Sequence, residues 1–511
     1  MEKESISKNI FKGTIIIVLV GILAKVASFI SEAIMAAYLG TTYQSDAYYM
    51  IASIQTVIYP MMSIGIWNVF LPLYKGHIAK GEKELAETIT NKALSFFTVI
   101  SIAVVILLII FAPIVVSIVA PGFKGETRTL CIKLVRISAP MYIFIIASAV
   151  YASILQCHNK FLGSQIREVA SHIPTIIAAI FFYKNFGINA MAIALVVAGV
   201  LRLVIELPFV TWGYKYKPDF KFKSKEFILM LKRLPSALIS AGVAQLNSLV
   251  DKAMASTLPT GTVSGLNYGH KLMNVFSGLL SSAIATAMYP QMIELISLNK
   301  KDELGKLIVK IINIFCVMMF PITIACVLFR TELVAAVFQR GAFDESSTAL
   351  TSNVFALYSI GLFFVACNTV ISNVFYGNGD TKTPMYISLA NLGINVVLNL
   401  CFIHFLGVNG LALATSLSAI ITFILRVQAS RKYVTLKRRL MTITAIKVFI
   451  ASITACMIPR ILFWAFPINK YLVLLFSAGI GIVVYLVGVK LLNVHEINDL
   501  IDLLKRKMKK A

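Results

Sequence analysis

Charge is scarce in this chain. Asp, Glu, Lys and Arg make up 14% of its 511 residues, where a soluble protein has about a quarter. That shortage excludes a soluble domain of useful size. Acids are the rarer sign, 23 against 47 basic residues. Cysteine is sparse and unpatterned. Cys131, Cys157, Cys316, Cys326, Cys367, Cys401 and Cys456 show no CxxC spacing and sit in or beside apolar segments, which excludes a zinc site or a disulfide framework. No HExxH, GxSxG or P-loop string occurs. ATP-driven work and covalent catalysis therefore have no residues to stand on, and the chain is not expected to be an enzyme or to hold a cofactor. What is there is apolar: hydrophobic residues make up 58% and the mean hydropathy is +0.84.

The apolar residues recur from end to end in runs of about twenty, the length a helix needs to cross a bilayer. Spans are expected near 13–39, 46–74, 92–120, 132–157, 166–184, 188–213, 227–258, 264–297, 307–329, 347–376, 383–405, 409–429, 443–465 and 470–493. The fold class is thus an all-α polytopic membrane protein of about fourteen helices. The first run is too long for a signal-peptide core and lacks a cleavage site, so it reads as a retained span. The connections alternate in charge. "KGHIAKGEKELAETITNK", "HNKFLGSQIR", "KYKPDFKFKSKEF", "NKKDELGK", "GNGDTKTP", "RKYVTLKRRL" and the tail "LLKRKMKKA" are basic, whereas "GTTYQ", "KNFGIN", "LPTGT", "LGVN" and "FPIN" carry few cations. Cytoplasmic loops collect Lys and Arg, so both termini are expected inside. The net charge of +24 then reads as topology, with attraction to anionic membrane lipids and no nucleic-acid partner.

The chain also copies itself. "FLPLYKGHIAKGEKEL" (Phe70–Leu85) resembles "MYPQMIELISLNKKDEL" (Met288–Leu304), and "FGINAMAIAL" (Phe186–Leu195) resembles "LGVNGLALAT" (Leu406–Thr415). Both pairs are offset by about 220 residues, which makes two consecutive six-helix units, parallel because the span count per unit is even. The domains expected are an N-lobe at 1–220, a C-lobe at 221–440, and two extra helices with a basic tail at 441–511. Parallel repeats usually enclose a site at their interface.

Polar residues inside the spans mark that interface. Lys25 and Glu32 stand seven residues apart, two turns along one helical face, with Ser28 and Ser31 nearby, and Asp46 begins the second span. The corresponding helices of the second repeat hold Asp251 and Lys252, then His270 and Lys271. Intramembrane charge is costly and usually faces a wet cavity or a partner. The alternative is structural locking, Lys25 by Glu32 and Asp251 by a neighbouring lysine. Surplus ammonium suits an anionic substrate. Arg202 and Glu206 are spaced as an i,i+4 ion pair. Asn391, Asn395 and Asn399 form a stripe on the eleventh span with Thr415 on the twelfth, either a hydrogen-bonded helix face or oxygen ligands for a small hard cation.

Several strings together, "SDAYYM", "NYGHKLMNVFSGLLSSAIATAMYPQM", "VFQRGAFDESST", "YGNGDTKTPMYISLANLGINVVLNL" and "GVNGLALATSLSAI", resemble the MurJ (MviN) lipid II flippases. That family lies within the multidrug/oligosaccharidyl-lipid/polysaccharide exporter superfamily. The resemblance runs over essentially the whole chain. It implies two six-helix lobes around a cationic cavity and two final helices forming a groove for a polyprenyl tail. It implies movement of lipid II, the undecaprenyl-pyrophosphate-linked glycopeptide of peptidoglycan and cell-wall biogenesis, from the inner to the outer leaflet of the bacterial cytoplasmic membrane by alternating access. The monomer is the expected state.

Carried over residue by residue, the resemblance is uneven. Relatives usually show two arginines and then an acid on the first helix; here these positions read Lys25, Ser31 and Glu32. The acid opening span two is kept as Asp46. An arginine common later in span two falls at Tyr59, and an Asp-Arg pair on the eighth helix reads His270–Lys271. The implied substrate-binding set is Lys25, Ser31, Glu32, Asp46, His270 and Lys271. A sodium site, where relatives have one, would fall on Asp251, Asn395, Asn399, Thr415 and the Leu411 carbonyl. Two alternatives stay open: a flippase for another polyprenyl-pyrophosphate-linked glycan, and a cation-coupled multidrug exporter.

Overall fold

The computed structural model describes residues 2–210, 214–436, 438–465 and 470–494. The connection at 466–469 and the basic tail after 494 lie outside the described residues. All regular structure among those described is helical. The helices run α1 (Glu2–Leu39), α2 (Tyr43–Ala79), α3 (Lys83–Ile110), α4 (Ala112–Val119), α5 (Gly125–Ser138), α6 (Met141–Cys157), α7 (Phe161–Ala170), α8 (Ile173–Ile177), α9 (Tyr183–Phe186), α10 (Ile188–Val210), α11 (Lys225–Ala255), α12 (Thr262–Ser297), α13 (Lys301–Leu328), α14 (Arg330–Phe338), α15 (Glu345–Ser359), α16 (Leu362–Gly377), α17 (Lys382–Leu406), α18 (Val408–Ala429), α19 (Arg438–Ala465) and α20 (Lys470–Leu491).

Among the described residues ten helical stretches are long and apolar enough to cross a membrane, and two bent pairs add one span each. With α11 and α12, whose 31 and 36 residues give the necessary length, the architecture is consistent with the fourteen spans expected. Several spans are less regular than the hydropathy pattern suggests. The fourth is α5 and α6, bent by 45° around Ala139 and Pro140, and the tenth is α15 and α16, bent by 41° at Ile360 and Gly361. The third breaks at Phe111, just before Pro113 opens α4. The fifth breaks before Pro174 and continues through a π-helical turn at Ala178–Phe182. Proline cannot donate its amide and crowds the preceding turn, so breaks gather beside it.

Packing divides the chain into two compact units, Met1–Ser264 with Arg340–Phe343, and Gly265–Gln339 with Asp344–Ala511. The packing boundary therefore differs from the boundary expected near 220: α11, expected to open a second copy, packs along α2 in the first unit. In that unit α2 also packs on α6, and α6 on α10, where Gly199 of α10 lies against the Met141 backbone, so close that a Cβ there would meet its carbonyl oxygen at 3.1 Å. Small residues that let backbones approach are the usual device where lipid removes the hydrophobic driving force. The second unit is built around Phe315, Phe363, Phe375, Ile311 and Val370 on α13 and α16. A smaller cluster, Val317, Val448, Ala451 and Val489, ties α13 to α19 and α20. Several buried hydroxyls bond their own helix: Ser53 donates to Tyr49 O at 2.5 Å, Ser153 to Ala149 O at 2.9 Å and Ser359 to Phe355 O at 2.7 Å. No water is needed to satisfy them, as a bilayer interior requires.

Two glycines close the first unit at one end. Gly40 ends α1 at φ +55° and Gly341 stands at φ +59°. A Cβ on Gly40 would lie 2.3 Å from Ala342 O, and one on Gly341 2.2 Å from Ala37 O. The left-handed conformation and the close approach both require the missing side chain. The contact is sealed by Ala342 N–H donating to Ala37 O at 2.7 Å.

Candidate functional site

The residues expected to bind substrate are distributed over both units. Lys25 is exposed on α1, with Ser31 and Glu32 buried a few residues further on and the buried Tyr48 ring within electrostatic reach of Glu32. Asp46 is 2% exposed. Its Oδ2 accepts from Gly261 N–H at 2.6 Å, and its Oδ1 accepts from the Ser264 amide and hydroxyl, both at 2.8 Å. This carboxylate is engaged by the turn between α11 and α12, so in the arrangement seen it braces backbone. Asp251 and Lys252 are both buried near the end of α11.

In the second unit His270 lies against Tyr358, ring centroids 5.3 Å apart, with the Asn274 amide 3.3 Å from its Nδ1. Lys271 beside it is half-buried and makes no ion pair or hydrogen bond among the described residues. The polar stripe of α17 meets α18. Asn399 donates to Asn395 Oδ1 at 3.1 Å, Asn395 to Thr415 Oγ1 at 3.3 Å, and Thr415 to Leu411 O at 3.1 Å. These are neutral oxygens in a buried chain, the donor chemistry a hard monovalent cation takes. Asn391 is used separately, accepting from Thr422 at 2.8 Å. Among the described residues no group of three or more His, Cys, Asp or Glu side chains gathers at one place.

Two strings that looked diagnostic turn out to hold loops. In "GNGDTKTP", Asp380 accepts from Thr383 N–H at 2.9 Å, from Lys432 Nζ at 2.7 Å and from Tyr433 OH at 3.1 Å. The Lys432 ammonium, followed by the Thr383 bonds, holds the Asp380 carboxyl well below the usual carboxylate range. In "FQRGAFD", Asp344 caps α15 by accepting from Ser347 N–H at 2.8 Å, and Gly341 makes the close contact with Ala37.

The sequence pattern missed one constellation. Arg202 and Glu206 do not pair with each other, as their spacing suggested. Arg202 pairs with Glu168, and Glu206 lies 3.2 Å from Arg167 Nη1. Tyr59 OH donates to Glu168 at 2.7 Å, and the Arg202 guanidinium sits 4.4 Å over the Tyr59 ring. A cation thus stands at the Tyr59 position although none is encoded there. Arg167 and Glu168 were hidden because they fall where a basic loop passes into an apolar run, and neighbouring opposite charges look like a surface pair. In α7 they lie 3.5 Å apart and each reaches a further partner on α10.

The second unit also holds an apolar cavity of about 400 Å³ between α13, α14, α19 and α20, lined by Pro321, Phe329, Leu333, Cys456, Leu474 and Tyr485. Arg460 pairs with Glu332 and lies 5.5 Å over the Phe329 ring at its edge.

Membrane-length helices from end to end, with Glu32, Asp46, Asp251 and Lys252 buried among them, define a polytopic membrane transporter. The family model for the lipid II flippase MurJ matches residues 35–481. The chain belongs to that family. A probable lipid II flippase MurJ of Rickettsia prowazekii is 25% identical over 493 residues, 94% of each chain, and one of Thermotoga maritima is 23% identical over 488 residues. A solved lipid II flippase MurJ in an inward closed conformation superposes with a TM-score of 0.82 at 23% identity, covering 95% of this chain and 100% of that one. An inward-facing multidrug resistance MATE transporter of the MOP superfamily gives 0.69 at 14% identity over 80% of this chain and 94% of its own. These likenesses bear out the fold expected from the sequence.

Proposed function

We propose that this chain flips lipid II from the inner to the outer leaflet of the bacterial cytoplasmic membrane by alternating access, without covalent chemistry. The observation that carries this reading is family membership along residues 35–481. Both termini lie on the cytoplasmic side, the chain acts as a monomer, and its partners are lipid II and the surrounding membrane lipids. The transporting units are the two repeats, 1–220 and 221–440, with 441–511 serving the lipid tail.

Lys25 and Lys271 each contribute an ammonium to the pyrophosphate. Ammonium groups bind phosphate oxygens as point charges, and Lys271 has no partner among the described residues, which supports its availability. Glu32 and Ser31 orient Lys25, and His270, packed on Tyr358, fixes the helix turn that carries Lys271. Asp46 serves the same set indirectly, by bracing the turn that begins α12. The apolar cavity lined by Phe329, Leu333 and Leu474 takes part of the polyprenyl tail. Outward movement of the anion is favoured by a membrane potential negative inside, by about 2 kcal/mol per charge per 100 mV. Sodium coupling would use the oxygens of Asn395, Asn399, Thr415 and Leu411, with Asp251 as the acid that relatives supply; there the ion provides countercharge for resetting.

The test is complementation of a flippase-depleted strain by the Lys25→Ala, Lys271→Ala double variant. Loss of rescue with normal membrane expression is expected. Full rescue would overturn the assignment of the two lysines. Rescue of a different polyprenyl-linked glycan pathway by the wild-type chain, without restored peptidoglycan synthesis, would instead favour the alternative substrate left open by the missing arginines. The drug-exporter reading has in its favour the shared fold with MATE transporters and no further observation.

A further inference from the structure

A membrane-spanning bundle buries charge at a cost that a well-paired network only partly recovers, yet four charges converge between α7 and α10 of the first unit. They come in balanced number, Arg167 and Arg202 against Glu168 and Glu206, but not with balanced access. The Glu206 side chain is 0% exposed and those of Arg167 and Arg202 are 9% and 8% exposed, while that of Glu168 is 33% exposed. The open edge of the network is therefore an acid, and two guanidiniums stand behind it.

Those guanidiniums are held in position but not used up. Arg167 Nη1 donates to Ser148 O and Oγ at 3.1 and 3.0 Å, which fixes its plane, while its Nε makes no hydrogen bond and faces Glu168 Oε1 at 3.5 Å, so Glu168 covers both guanidiniums. Arg202 is fixed by Glu168, by Ser171 Oγ at 3.4 Å and by the face of Tyr59, while its Nη1 makes none. A buried donor left unmade costs more than a made one gains. The sealed Glu206 oxygens also make no hydrogen bond, but only the two donors lie behind the partly accessible Glu168 carboxylate, and on pre-oriented forks they suit a larger anion than the one covering them.

We infer that Arg202 and Arg167 form a masked clamp for the phosphate oxygens of the substrate, with Glu168 and Tyr59 as its movable cover; this rests on the flippase reading above. A pyrophosphate offers more acceptor oxygens and more charge than a carboxylate, and guanidinium forks bind it bidentately where lysines cannot. Its arrival displaces Glu168 from Arg202. The carboxylate keeps its Tyr59 hydroxyl bond and turns toward its accessible side. Glu206, sealed beneath, keeps the local charge from becoming so positive that release fails. The clamp supplies the planar phosphate recognition that Lys25 and Lys271 do not.

The experiment measures binding of undecaprenyl pyrophosphate to the full chain in nanodiscs of neutral lipid, alongside rescue of flippase-depleted cells. Inorganic pyrophosphate and undecaprenol are the comparison ligands. Glu168→Gln removes the competing charge and is expected to tighten undecaprenyl pyrophosphate binding several-fold, although it deletes an ion-pair partner. Arg202→Lys keeps the pair's charge but not the fork, and is expected to weaken binding at least tenfold with unchanged thermal stability. The charge swap Glu168→Arg with Arg202→Glu re-forms an ion pair and is expected to leave rescue abolished. Binding of inorganic pyrophosphate in the same order shows that the clamp reads phosphate itself, whereas binding confined to the lipid form shows that it needs the tail as well. Undecaprenol should be insensitive to all three variants. Unchanged binding in both single variants, or rescue by the swap, would make the network structural and overturn the inference. Failure of the wild-type chain to bind or rescue would instead overturn the flippase reading.

Discussion

Replacing Asp46 by Asn tests whether this acid works by bracing backbone. The carboxylate accepts three hydrogen bonds, one from Gly261 N–H and two from Ser264. An Asn side chain can keep its oxygen toward Ser264 but must then present NH₂ to Gly261 N–H, donor against donor. One orphaned buried amide costs about 1–3 kcal/mol, and two bonds that lose their ionic partner weaken by roughly half a kcal/mol each. The turn is thus loosened by about 3 kcal/mol, and local opening that exposes its amides becomes roughly a hundredfold more frequent. Hydrogen exchange of the segment carrying Gly261 and Ser264, measured by mass spectrometry in nanodiscs, should accelerate by that order. Ser264→Ala removes the one hydroxyl proton that Asp46 Oδ1 and Gly261 O share, about 1 kcal/mol, and should accelerate it about fivefold. Exchange unchanged in Asp46→Asn, together with lost transport, would refute the bracing argument and return Asp46 to direct substrate contact.

Two further outcomes follow from the loops. Gly341→Ala combines a left-handed backbone position with a Cβ 2.2 Å from the Ala37 carbonyl; strain and the weakened Ala342–Ala37 bond together cost about 2 kcal/mol, visible as a lowered thermal midpoint, whereas the same change at exposed Gly379, where a Cβ meets nothing within 4 Å but φ is +73°, should show the strain contribution alone. The depressed pKa of Asp380 means that its contribution to loop order is complete above the ordinary carboxylate range near 3.9 and is lost as pH falls through the lower folded value. Tryptic cleavage at Arg431 should therefore be constant from pH 8 to pH 5, whereas Asp380→Asn should raise it at neutral pH.

The parts of the fold that follow from apolar run length were legible in the sequence, because a bilayer imposes a length on every span. The internal breaks were not. Pro140 and Pro174 are visible as letters, but whether a proline bends, ends or merely joins a helix depends on what packs beside it. Two strings suggested a repeat, but the packing of α11 on α2 was not legible, since that depends on side-chain surfaces and not on copies. In the site, Asp46 was found from its place at the start of a span, but its engagement by Gly261 and Ser264 is a contact over some 215 residues that no local pattern encodes. Arg202 was found and given the wrong partner: helical spacing favoured Glu206, and tertiary packing brought Glu168 instead.

Whether this chain flips lipid II is decided by the exposure of lipid II in the outer leaflet of cells depleted of their own flippase and expressing this chain. Outer-leaflet lipid II, read by an externally added lipid II-cleaving enzyme, is expected to return to the level of undepleted cells. Lipid II that accumulates only on the inner leaflet while the chain is present in the membrane would contradict it.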